Sequence, residues 1–191
     1  MSHLAVGEMI YESLPDIQKA LEDMGYTLQE GHRVQGWYQD QNWNADYVYQ
    51  HENARKGDRK SPCPMQLGVK KTDKGWEFIR DQYERFDYEV FTDKYIQTVL
   101  KRNSHAPIVI NKNNTVHTYT QIQWEDGRKK SVTVEYNLQQ KEISVQTSGF
   151  QGKACVDATA KIEKAFGVTS WRPTGEYFND ELKQINIPYC G

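Results

Sequence analysis

Two short runs late in the chain, Ser-Val-Thr-Val-Glu-Tyr at 131–136 and Glu-Ile-Ser-Val-Gln-Thr at 142–147, alternate apolar and polar residues. A period of two puts every apolar side chain of a strand on one face. Asn137 to Lys141 joins the runs, so the spacing predicts a hairpin. A helix follows and runs to Phe166, where Gly167 ends it. A hairpin and one helix, roughly fifty residues in all, bury too little surface to be stable alone. The unit must dock on the preceding part of the chain, on a second copy, or on a partner. That need is the first reason to expect an interaction protein.

The preceding residues are long enough to supply such a support. Residues 3–11 read as a strand, and Ser13 caps a helix that begins Leu14-Pro15-Asp16. Leu14, Ile17, Leu21 and Met24 form its apolar stripe, and Gly25 stops it. Tyr26 to Tyr38 and Asn44 to Gln50 read as two strands, and Met65 to Lys71 with Trp76 to Arg80 as a hairpin. Thr92 is the expected cap of a second helix, with Tyr95, Ile96, Val99 and Leu100 on its buried face and an end near Asn103. Val109–Ile110 and Val116 to Trp124 are strand-like, and Glu125-Asp126-Gly127-Arg128 is a turn. The expected class is α+β: antiparallel strands with two helices over 1–124, and a β-β-α unit with an irregular arm over 130–191, docked on it.

Of the 191 residues, 24 are basic and 26 acidic, which leaves no global field to draw in nucleic acid or an anionic membrane. Twelve Tyr and five Trp predict an aromatic-rich core and an aromatic contact surface. No apolar run is long enough to span a bilayer, and the first residues lack a secretory pattern. Cys63, Cys155 and Cys190 form no CxxC pair and are odd in number, which fits a reducing compartment. The expected location is the cytoplasm. His3, His32, His51, His105 and His117 are scattered without metal-ligand spacing, so no metal or other cofactor is expected.

Met-Ser-His at the start, Leu14 to Tyr26, Arg33-Val34-Gln35-Gly36-Trp37 and Tyr95 to Leu100 resemble a family of short uncharacterised proteins. That family occurs in cyanobacteria, algal plastids and scattered other bacteria. Gly149-Phe150-Gln151-Gly152-Lys153-Ala154-Cys155, Ala165-Phe166-Gly167 and Pro173 to Tyr177 resemble a second small family, marked by a Gly-x-x-Gly-x-x-Cys helix start. The two resemblances imply a natural fusion. Members of both families tend to be encoded near one another and near AAA-type ATPases, which implies such an ATPase as a partner. Neither resemblance implies an activity.

Two local features are candidate sites. Gly149, Gly152, Lys153 and Cys155 open a helix, where bare N–H groups attract anions and a thiolate is favoured. Against that, Cys155 shares a helical face with Thr159, Ile162 and Phe166, and a buried cysteine acts as a small hydrophobe. The second is the aromatic strip Trp37, Tyr38, Trp43, Tyr47 and Tyr49 beside the basic loop residues Arg55, Lys56, Arg59 and Lys60. It suits a protein interface, with Trp37, Trp43, Tyr47 and Tyr49 as anchors, or a single-stranded nucleic acid. The bland alternative is core aromatics and a solvated loop. The main expectation is a non-catalytic adaptor that binds a protein partner, an ATPase or itself. A Cys155-centred thiol or anion enzyme or sensor, and single-strand binding through 37–60, are the alternatives.

Overall fold

The first helix forms where its apolar stripe predicts. In the computed structural model, which describes residues 3–36, 42–54, 66–82, 86–150, 154–168 and 171–173, α1 spans Leu14–Glu22 and buries Ile17, Ala20 and Leu21. Gly25 follows with φ of +86°, the left-handed conformation that ends a helix. Ser13 precedes α1, but its side chain makes no capping bond. Its N–H instead donates to the Tyr95 hydroxyl at 3.1 Å.

The chain divides into two compact units, residues 11–98 and residues 1–10 with 99–191. In the 11–98 unit, β2 (Tyr26–Gln29), β5 (Tyr47–His51), β6 (Gln66–Thr72) and β7 (Gly75–Ile79) make an antiparallel sheet in the order β2-β5-β6-β7. A small second sheet pairs β3 (Arg33–Gln35) with β4 (Asn42–Asn44). The expected single strand from Tyr26 to Tyr38 is therefore two strands in different sheets. Gly31, at φ of +103°, makes the break, because extended backbone cannot continue through that conformation. Val34, Ala45 and Val48 pack together with Ile79.

Beside these strands, Tyr11, Phe78, Phe86, Tyr88, Phe91 and Tyr95 form a chain of ring contacts with centroids 4.8–6.0 Å apart. This is where much of the high aromatic content goes. Edge-on pairs of this kind contribute about 0.5–1.5 kcal/mol each beyond burial. Phe91 and Tyr95 come from α2 (Tyr88–Asn103), whose residues from Val99 onward belong to the other unit. The expected face of α2 is the buried one: Tyr95, Ile96, Val99 and Leu100 are all sealed. Its expected cap is not. Asp87 accepts the Val90 N–H at 3.0 Å, a turn earlier than Thr92. Thr92 lies inside the helix, where its hydroxyl donates to Tyr88 O at 2.7 Å.

The other unit is built on six antiparallel strands in the order β12-β1-β11-β10-β9-β8. These are β1 (His3–Glu8), β8 (Ile108–Lys112), β9 (Val116–Glu125), β10 (Arg128–Asn137), β11 (Glu142–Ser148) and β12 (Trp171–Pro173). Its third helix, α3 (Ala154–Phe166), packs on β11 and β1. One face holds Ala5, His117, Tyr119, Gln121, Val132, Val134, Tyr136, Ile143, Val145 and Thr147, all buried. The buried amide of Gln121 donates to Ser104 O and Ala106 O, each at 3.1 Å.

The expected boundary between 124 and 130 does not coincide with the division between the units. Asp126 and Gly127 have φ of 52° and 71°, a turn matched to the twist of a tight hairpin, and β9 and β10 pair along their full lengths. The turn expected at Glu125 to Arg128 is a hairpin turn inside one sheet. The six-stranded sheet also answers the need for support inside the chain: β9 and β8 extend the hairpin on one side and β1 on the other.

Candidate functional site

Among the described residues α3 is the helix packed on the six-stranded sheet, through β11 and β1, and the face opposite the buried one has its own set of side chains. Register places Leu4, Val6, Val109, Thr118, Thr120, Ile122, Trp124, Thr133 and Ser144 on it. The Thr120 and Thr133 hydroxyls meet across the β9–β10 pair at 3.2 Å. Toward the β8 side of this face two apolar side chains are exposed: Val109, opposite Thr120, at 59%, and Trp124, three residues past the end of the β8 pairing and opposite Lys129, at 71%. Each exposed Val, Leu or Ile leaves about 1.5–3 kcal/mol of burial unrealised.

The adjoining strand edge is also open. Among the described residues β8 pairs with β9 alone. Asn113 N–H bonds Val116 O at 3.1 Å, and antiparallel pairs alternate between bonded and non-bonded. By that alternation Asn111 and Val109 bond β9, and the main-chain groups of Ile108, Ile110 and Lys112 face away from it. An open edge beside exposed apolar side chains is the geometry that accepts an added strand.

The aromatic strip does not form a single exposed surface. Tyr49 is 1% exposed and its phenol is pushed to a higher pKa, chiefly by burial, so it is a core ring and no surface anchor. Tyr47 is half-buried against Trp76, with centroids 5.9 Å apart. Trp43, 37% exposed on β4, is the one described anchor that presents its ring to solvent. Trp37, Tyr38, Arg55, Lys56, Arg59 and Lys60 lie outside the described residues.

At the other candidate, Gly149 sits at φ of +81° with no room for a side chain, since a Cβ there would run into Lys129 O. The start of α3 at Ala154 joins Gly149, Arg128, Lys130, Glu125 and Asp126 around a cleft of about 410 Å³. Its charges are mixed. Lys130 is engaged by Glu125 and lies 5.5 Å from the Phe150 ring centroid. Two carboxylates in the cleft oppose an anion, and a cation already paired has less to offer one. Gly152 and Lys153 lie outside the described residues, as does the side chain of Cys155 on α3. Thr159, Ile162 and Phe166, the residues expected on its helical face, are buried.

Sequence reasoning missed Trp124 as a surface residue. Its signal was present: Trp124 is in phase with Thr120 and Ile122 and out of phase with Tyr119. It was obscured because the inward residues of β9 include His117 and Gln121, so the strand lacks a clean polar side. Among the described residues no group of three His, Cys, Asp or Glu side chains converges to hold a metal, and no helix is long and apolar enough to cross a membrane.

No curated protein matches the chain in sequence. Residues 142–178, which include β11, α3 and β12, match a family model described as "Protein of unknown function (DUF2997)".

Proposed function

We propose that this chain is a non-catalytic adaptor or accessory subunit that binds a protein partner through the β8–β9 corner of its six-stranded sheet. The observation that carries the reading is made among the described residues: a strand edge open at β8, Val109 exposed on that strand, and Trp124 exposed farther along β9 on the same face. An added strand takes its affinity from main-chain bonds and its selectivity from such side chains. This corner replaces the 37–49 strip as the centre of the interface, with Trp43 as a separate exposed anchor.

The partners to test follow from the resemblances: an AAA-type ATPase encoded nearby, or a second copy. The match at 142–178 supports the second of the two family resemblances, and a fusion of the two families is part of the same proposal. Sedimentation velocity of the purified chain, alone and mixed with such an ATPase, tests the reading. It predicts a heavier species that weakens at least about tenfold when Val109→Lys and Trp124→Ala are combined, since an interface Trp commonly contributes about 2 kcal/mol or more. A monomer that stays unchanged in both samples contradicts it.

A further inference from the structure

We propose that the gap between β11 and β12 is a strand-acceptor site, filled here by the chain's own His3–Glu8, and that the same segment of a second copy enters it by exchange. β1 runs antiparallel to both neighbours, pairing Ala5 with Val145 on one side and with Trp171 on the other. β11 and β12 are therefore parallel strands held one strand apart by the crossover through α3. The segment that matches the family model contains both walls of the gap and α3, but not the strand that fills it. Without that strand, two edges and the apolar underside of α3 stand open.

The gap selects what enters it. Inward positions of β1 hold Ala5, 1% exposed, and Gly7, where an added Cβ would stand 3.7 Å from Val168 Cγ1. α3 packs on β1, Ala5 is sealed and a methyl at Gly7 would already touch Val168, so a longer side chain at either of these two positions must displace its neighbours. Just past the strand, Met9 N–H bonds Lys141 O at 2.9 Å and Ile10 N–H bonds Phe166 O at 3.0 Å. These bonds read main chain, and any extended segment of the right pattern satisfies them. Residues 11–98 separate β1 from the rest of its unit, so β1 is held by pairing and not by a short covalent connection. A strand held in this way is one that copies exchange. This inference is independent of the β8–β9 corner, which lies at the opposite edge of the sheet.

The full-length Ala5→Asp variant weakens the resident strand by placing a carboxylate in a sealed position. A fluorescent peptide with the sequence of residues 3–10 is then titrated into it and into the wild-type chain, with binding read by anisotropy. Saturable uptake by the variant is expected, at least about tenfold weaker uptake by the wild type whose site is occupied, and a similar loss for a peptide carrying Gly7→Leu. If the variant is unfolded, near-UV circular dichroism should return on adding the peptide. No uptake and no recovery overturns the proposal. So does equal uptake by both proteins, or indifference to Gly7→Leu.

Discussion

Tyr95 ties the segment before α1 to α2 through a single oxygen. Its hydroxyl accepts the Ser13 N–H, and burial, the largest influence on it, holds its pKa well above the ordinary tyrosine value. A neutral phenol favoured in the folded state stabilises the fold fully below the unfolded tyrosine pKa of about 10, and that contribution fades as pH rises beyond it. Denaturant midpoints measured from pH 8 to 11 should therefore fall above about pH 10. A Tyr95→Phe variant should decline less steeply there, while losing about 0.5–1.5 kcal/mol at neutral pH with the bond from Ser13 N–H. Gly68 offers a steric counterpart: a Cβ there would stand 2.5 Å from Val34 Cγ2 and 2.7 Å from Ala45 Cβ. Gly68→Ala should cost about 1–3 kcal/mol in chemical denaturation, the range for overpacking a filled core. Nothing in the sequence distinguishes Gly68 from a glycine that merely weakens a strand, because its neighbours come from β3 and the residue after β4.

At the scale of elements, the start of α2 separates two ways of reading one segment. Asp87→Ala should lower stability by about 0.5–2 kcal/mol, the usual effect of losing a cap. Thr92→Val should also destabilise, for another reason. The Thr92 hydroxyl gives its proton to Tyr88 O, so it receives one from the Tyr11 hydroxyl at 2.7 Å, and valine removes both bonds. Thermal melts of both variants and their double mutant check this, with near-additive losses expected for separate sites. The apolar periodicities of α1, α2 and α3 were legible because each helix buries one stripe of its surface. The break at Gly31 was not, since a turn inside a β-prone run leaves little trace in composition. The cap was missed for a similar reason: both Asp87 and Thr92 are competent caps, and only the burial of Phe91 decides that the helix begins before it.

For the molecule as a whole, local patterns identified the hairpin and helix but not what supports them. The supporting strands are β9, across the turn at Glu125 to Arg128 at the expected edge of the unit, and β1, more than a hundred residues away in sequence. Pairings of that separation are set by tertiary packing, and a single sequence does not display them. The phase of Trp124 with Thr120 and Ile122 was legible, but which of the two phases of β9 faces outward was not, because that depends on where α3 packs on the sheet. Hydrogen exchange of the full-length chain tests most directly whether both ends of the chain build one sheet. Amides of residues 4–8, 132–136 and 143–147 should open together with a single free energy, and all should lose protection when Ala5→Asp weakens β1. Protection of β10 and β11 that persists unchanged in that variant would mean the hairpin and helix stand without β1, and would contradict the account.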